Sequence, residues 1–494
     1  MHILSKSTFV RGCQCVKSLY LNKYHKELQS PMSLSQKGIF DQGKDVGVLA
    51  RKLFPNGVDV SPKEYYSYED SITKTQVAIA NDATIIYEAA FLFDDVLAAL
   101  DILVKDNYGW KAFEVKSSTE VKDTHILDAA LQYYLIKNSG ISLQDIFIVH
   151  INNQYVRGEE LELEKLFTKK SILKEVLELQ TFIPGKIREL KSILEQNEIP
   201  NIEIGLQCND PYPCDFIDYC WKKIPPHSVF DIANLRATKK FELFNQGILE
   251  LKDIPKSYSL NENQWLQVYC ELEQKSVIDI PKIKVFIENL FYPLYFLDFE
   301  TFQLAIPKFV NSRPYQQLVF QYSLHKQYSS SSELVHSEFI AETNSNDPRI
   351  SFIISLIEDC GEEGDILVYN IAFEKTRLQE LANDFPEFSN SISNILNRLK
   401  DLMIPFRERW FYTPDMKGSY SIKVVLPALL PEFTYSNLEI KDGSTASSTY
   451  SSMVQGVFSG NADRSLKALL EYCKLDTLAM VKILEKLILI STGE

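Results

Sequence analysis

The sequence predicts an α/β chain of two domains joined by a short helical connector. Three observations lead there. A length of 494 residues suits two to four domains at roughly 100–200 residues each. Strand-like runs at 84–93, 96–104 and 110–116 precede helical patterns at about 124–138 and 160–195. A strongly apolar strand, Tyr295-Phe296-Leu297-Asp298-Phe299-Glu300, then opens a second α/β region that continues to the end. The expected bounds are 1–225 for the first domain, 226–288 for the connector and 289–494 for the second domain, with Pro225-Pro226 as the first boundary. The connector reads as helical and carries little chemistry, and the Ser-rich runs Ser329–Ser332 and Ser444–Ser452 read as loops.

Composition narrows the class. With 45% hydrophobic, 12% aromatic and 24% charged residues, the chain is unlike disordered, collagenous or coiled-coil sequences. The charge sum of −14 excludes general electrostatic adhesion, so a nucleic-acid partner needs a local basic groove. Lys6, Arg11, Lys17, Lys23 and Lys26 all precede the first acid, Glu27, and supply candidates for it. No run approaches about 18 apolar residues and the start lacks a leader-like apolar core, which makes a cytoplasmic protein without a membrane partner the expectation. In a reducing compartment eight cysteines do not form a disulfide framework, so clustered ones point to a metal.

In the first half, Asp106-Asn107-Tyr108-Gly109 reads as a tight turn between two strands. Pairing Asp106 with Gly109 sets Asp101 opposite Glu114, their Cβ atoms roughly 5 Å apart, a position like charges oppose unless a cation lies between them. Lys116 shares the face of Glu114, while Val115 points to the other side. Two carboxylates and an ammonium suit Mg²⁺-assisted phosphodiester hydrolysis; an ordinary exposed hairpin face is the alternative. The pattern Asp-x(12)-Glu-Val-Lys resembles the core signature of the PD-(D/E)XK nucleases, in particular their RecB-like branch. The resemblance implies a restriction-endonuclease-like fold, metal ligation by Asp101, Glu114 and the backbone of Val115, a catalytic Lys116, and a helical Gln132 with Tyr133. Glu88 becomes an accessory acid. The chain departs from the branch at Gly47, in a segment where a metal-binding His is common.

Related nucleases bind an iron–sulfur cluster through one N-terminal and three later cysteines. The sequence is similar in this too: the motif Leu4-Ser5-Lys6-Ser7 leads to Cys15, and Cys208, Cys214 and Cys220 follow at even spacing. The implied cofactor is a [4Fe–4S] cluster, with zinc and metal-free buried thiols as alternatives and Cys13 as a substitute for Cys15.

In the second half, Asp298 and Glu300 project from one strand face, which is costly on so apolar a strand unless they coordinate something. Tyr472 and Asp476 are four apart in a long helical pattern and share its face. Between them, a strand over Ile366–Asn370 leads into a helix bearing Glu374. The order resembles the DnaQ-like 3′–5′ exonucleases of the DEDDy type, which implies an RNase H-like fold. In that reading Asp298, Glu300 and Asp476 hold two Mg²⁺ or Mn²⁺ ions about 4 Å apart and Tyr472 orients water. Glu374 stands where that group has Asp, and Asp401 is a weaker candidate. Together the halves resemble a bacterial fusion family of unknown function, and the expectation is a metal-dependent nuclease acting on DNA, with RNA as an open substrate. Lys417 and Lys423 are candidate backbone contacts. A singly active or non-catalytic nucleic-acid-binding scaffold is the alternative.

Overall fold

The computed structural model describes residues 3–32, 34–62, 68–343 and 346–493. The chain is α/β and divides into two compact units, Met1–Lys223 with Leu304–Tyr315, and Ile224–Gln303 with Gln316–Glu494. The first break falls two residues before Pro225. The expected connector is part of the second unit, and a short excursion from the second half belongs to the first.

Unit 1 begins with β1 (Leu4–Ser5), α1 (Lys6–Gln14), α2 (Val16–Tyr24), α3 (Leu34–Ala50), β2 (Val58–Asp59) and α4 (Tyr68–Ala80). The strands β3 (Ile85–Phe93), β4 (Val96–Asp106) and β5 (Gly109–Lys116) lead to α5 (Asp123–Asn138) and β6 (Leu143–Ile151). Then come α6 (Leu163–Leu166), β7 (Phe167–Ser171), α7 (Leu173–Glu178), α8 (Phe182–Leu194) and α9 (Ile217–Cys220). The mixed sheet runs β2-β3-β4-β5-β6-β7, with β1 parallel to β4. The helical pattern expected over about 160–195 is therefore interrupted: residues 167–171 pair antiparallel with β6. Alternation along β5 and β6 sends Ala112 and Ile148 into one core with α5 and Phe113 and Val149 into another with α3, so the sheet is covered on both faces.

Unit 2 opens with α10 (Ala237–Asn245), α11 (Glu262–Glu273), β8 (Val277–Ile278) and α12 (Ile280–Glu288). Its sheet is built from β9 (Leu294–Phe302), β10 (Leu318–Gln327), β11 (Leu334–Ile340), β12 (Asp365–Val368) and β13 (Leu399–Asp401), with α13 (Pro348–Cys360), α14 (Ile371–Asp384) and α15 (Ser389–Arg398) between strands. There follow α16 (Ile404–Arg407), β14 (Phe411–Tyr412), α17 (Ile422–Leu429), α18 (Gly443–Gln455) and the 31-residue α19 (Ala462–Thr492). The strand order is β11-β10-β9-β12-β13, antiparallel from β11 to β9 and parallel beyond. Tyr295, Leu297 and Phe299 enter the core shared with α13 and α14. The Ser-rich run 444–452 is not a loop. Asp442 caps α18 by accepting the Thr445 N–H at 2.8 Å, and Ala446, Tyr450 and Met453 recur at helical spacing on its buried face.

Candidate functional site

The period of β9 puts Asp298 and Glu300 on the face opposite Leu297 and Phe299, and α19 brings Asp476 to them. One oxygen from each of the three carboxylates lies within 4.8 Å of the others; no other acid, His or Cys trio among the described residues is so tight. Burial, then Asp476, Glu300 and Glu374, push the Asp298 carboxyl well up. Glu300 rises to about 8 through burial and Asp476, against Lys423. Asp476 rises to about 6 through burial, against hydrogen bonds from Tyr435 and Tyr472 and the charge of Lys423. The chain alone thus leaves a site short of positive charge. The set is all oxygen, which fits a hard divalent ion.

Glu374 is brought into the same cleft, of about 690 Å³, but stays outside the trio. Burial raises it to about 8, and its Oε2 is buried without a hydrogen-bond partner. Asp401 is engaged elsewhere, on Arg407 at 3.0 Å and the Met403 N–H. Tyr472 keeps its place beside Asp476, and its hydroxyl accepts from Lys423 Nζ at 2.9 Å. Lys423 also sits 4.8 Å from the Tyr472 ring. Gly443 begins α18 against Glu300; a Cβ there would lie 3.3 Å from its Oε2.

Three contributions escaped sequence reasoning. The Tyr435 hydroxyl donates to Asp476 Oδ1 at 2.7 Å in a buried bond. Cys473 Sγ lies 3.5 Å from the Asp298 carbonyl oxygen. The connector is not a bystander: Asp231, Asn234 and Lys240 line the cleft together with Lys417 and Lys423. Gln267 on α11 braces this wall by accepting from Ala233 N at 2.9 Å and donating to the Asp231 carbonyl at 3.0 Å. It also abuts Gly418, whose φ of +75° and missing Cβ both suit this approach. The signal available in the sequence was the turn-rich 228–236 stretch, but no local pattern says which cleft a turn lines.

In unit 1 the hairpin has the expected register from Asp106↔Gly109 to Ile102↔Phe113. The ladder ends there. Asp101 and Glu114 are not a ladder pair; the Val115 N–H, free of the ladder, donates to Asp101 Oδ2 at 2.6 Å. Opposite them Glu88 has φ +57° and is bound by Arg51 at 2.7 Å, so it is no free accessory acid. Lys116 Nζ donates to Glu114 Oε1 at 2.8 Å and to Asp128 Oδ2 at 2.6 Å, and buried Gln132 donates to Asp128 Oδ1 at 3.3 Å. Asp128 is thus a member the motif did not single out. So is Lys6, whose Nζ donates to Glu114 Oε1 at 2.7 Å. Burial opposes the charged Glu114, but Lys116 and Lys6 outweigh it and hold the carboxyl well below its usual range, while burial and Glu114 push Asp101 up to about 8. The basic N-terminal segment is partly spent internally: Arg11 is paired with Asp215 and Lys17 donates to the Ile202 carbonyl.

Cys15, Cys208, Cys214 and Cys220 line one cavity, whereas Cys13 lines another. Burial raises the Cys15 thiol, backbone N–H groups of Ser18 and Lys17 lower it, and Cys214 and Cys208 add to the rise. No three of these sulfurs gather within 4.8 Å. Lys17, Ser18, Glu203, Gln207 and Phe216 share that lining with the four thiols, and four thiolates suit either zinc or an iron–sulfur cluster.

Among the described residues no helix is long and apolar enough to cross a membrane. The chain is similar to "Uncharacterized protein UU173" of Ureaplasma parvum, at 32% identity over 40% of this chain and 29% of the relative. It is also similar to "Uncharacterized protein MG366 homolog" of Mycoplasma pneumoniae, at 25% identity over 48% of this chain and 38% of the relative. "Uncharacterized protein MG366" of Mycoplasma genitalium is 26% identical over 38% of this chain and 31% of the relative. The chain thus matches less than two fifths of the length of these relatives. Residues 295–421, which carry Asp298, Glu300 and Glu374 but end before Tyr472 and Asp476, match the family described as Domain of unknown function (DUF2779).

Proposed function

We propose that the protein is a metal-dependent nuclease whose hydrolytic centre lies in unit 2 and acts on single-stranded ends of DNA. The observation that carries this reading is the convergence of Asp298, Glu300 and Asp476 within 4.8 Å at a cleft walled by lysines. The DEDDy-like order of these acids and the antiparallel-then-parallel sheet support an RNase H-like, 3′–5′ exonucleolytic assignment. Mg²⁺ or Mn²⁺ bound by the trio would polarise the phosphate and activate water. The rest falls to the chain. Burial, Asp476 and Glu300 keep the Tyr472 phenol protonated at neutral pH, so it orients water by hydrogen bonding and does not take up a proton. Lys423 fixes that phenol and, with Lys417 and Lys240, offers charge to the strand. Unit 1 carries the RecB-like hairpin and the four-cysteine cavity, read here as a [4Fe–4S] staple for a nucleic-acid-binding half.

The test is digestion of 5′-labelled single-stranded DNA and RNA by the full chain in Mg²⁺ or Mn²⁺. Asp298→Asn is expected to abolish a ladder of shortened products that Asp101→Asn leaves intact. Loss with Asp101→Asn alone moves the hydrolytic centre to unit 1. Tight binding without cutting by the wild type favours the non-catalytic scaffold.

A further inference from the structure

A divalent ion in unit 1 is implied by the resemblance, and the residues present do not fit one. Glu114 Oε1 already accepts two ammonium groups, Lys6 at 2.7 Å and Lys116 at 2.8 Å, which leaves its buried Oε2 as the carboxylate oxygen without a hydrogen-bond partner. Asp101 Oδ2 is taken by the Val115 N–H. An ion at a ligand distance of about 2.1 Å from Oε1 would press directly on both ammonium groups. We propose that the Lys6 ammonium is the resident cation of the Asp101–Glu114 pair and excludes a divalent ion from it.

Lys6 is not a surface lysine that happens to swing in. β1 fixes the preceding backbone through Leu4↔Val96 and Ser5↔Leu97, on the strand that carries Asp101. Ser5 then caps α1 in a box with Thr8, so the helix starts at Lys6. From there Nζ reaches Glu114, lies 3.9 Å from Asp128 Oδ2 and 3.5 Å from the Ala99 carbonyl oxygen. Three backbone-set constraints thus deliver one positive charge to one carboxylate. A positive side chain at that spot balances the acids at a fixed place, which a dissociable ion does only at sufficient concentration. The Gly at position 47 agrees with this arrangement, since no imidazole is needed where no ion is held.

The experiment counts bound Mn²⁺ by electron paramagnetic resonance in the full chain carrying Asp298→Asn and Asp476→Asn, which removes the unit 2 trio. That background is expected to bind no Mn²⁺ below millimolar concentration. Adding Lys6→Met is expected to create one site at least tenfold tighter, which Glu114→Gln then removes, whereas Lys6→Arg creates none. A submillimolar site in the background that Glu114→Gln abolishes overturns the proposal, and so does a folded Lys6→Met chain that gains no site. Should Lys6→Met fail to fold by circular dichroism, Lys6→Gln takes its place, and the background measurement decides independently of either. Unit 2 activity plays no part in the readout.

Discussion

Tyr472, Tyr435 and Lys423 form a small apparatus around Asp476 in which each group limits what the others can do. Tyr435 donates to Asp476 Oδ1, and Lys423 donates to the Tyr472 oxygen. Lys423→Met removes the cation beside the phenol while keeping most of the side-chain volume. A single preorganised charge or donor at a reacting centre is worth about 10²-fold in turnover, so kcat is expected to drop by that order with Mn²⁺ stoichiometry unchanged. An unchanged kcat would place Lys423 outside the chemistry. His325 gives a pH signature independent of catalysis. It is buried, its Nδ1 lies 2.8 Å from Thr477 Oγ1, and its ring is 4.5 Å from that of His336. Burial, then His336 and Lys474, lower its pKa from 6.5 to about 4. The native state therefore refuses a proton that the unfolded chain accepts. Its contribution is fully present above pH 6.5 and is lost as pH falls from there towards 4, at up to about 1.4 kcal/mol per pH unit. Urea midpoints between pH 7 and 4.5 should fall less steeply in His325→Phe than in the wild type.

Among the elements, α19 and α1 each join distant parts of a unit. The former carries Tyr472 and Asp476 and starts at Asn461, whose side chain caps Arg464 N at 2.9 Å. Asn461→Ala should cost about 1 kcal/mol, read as a lower thermal midpoint, with the proposed turnover retained because Tyr472 lies three turns away. Helix α1 has Lys6 at its first position and Cys15 as its C-cap, so about 14 Å of helix separates the acid pair from the thiol cavity. Aerobically stable iron and acid-labile sulfide, near four of each per chain, are expected in the wild type. Cys15→Ala should lose them and Cys13→Ala keep them, since only Cys15 lines that cavity. These elements also show what local sequence can convey. The two-residue period of β9, the 3.6-residue period around Tyr472 and the Asp106–Gly109 turn are local, and residues 295–300, 472–476 and 102–113 adopt the expected geometry. The antiparallel β7 hid inside a helical pattern because its Thr-Lys-Lys-Ser composition faces solvent. Helix α18 was masked by serines that favour turns until Asp442 caps them and Tyr450 anchors them. Lys6 lies 108 positions from Glu114, and only the two-residue pairing of β1 with β4 brings them together.

On the scale of the whole molecule, the proposed polyanionic substrate would meet a net charge of −14, so attraction to it would be confined to patches. Three cleft lysines, Lys240, Lys417 and Lys423, predict a slope of roughly −2 for log K against log salt with single-stranded DNA. Lys240→Gln with Lys417→Gln should flatten it by about 1.4, measured by fluorescence anisotropy in Ca²⁺ to prevent cutting. The excursion Leu304–Tyr315 has a different bearing. It leaves directly after β9, places Ala305 in the core of unit 1 with Ile102 and Phe113, and ties in through the Arg157 bond to the Pro307 carbonyl at 2.9 Å and the Tyr315 hydroxyl on the Ser117 carbonyl. A ribosome making this chain has therefore already synthesised β9, with Asp298 and Glu300 on it, before the N-terminal half can close its own core. A fragment ending near residue 225 would emerge with a gap where Ala305 belongs. A single crossover near residue 225 would therefore separate the N-terminal half from its own segment 304–315.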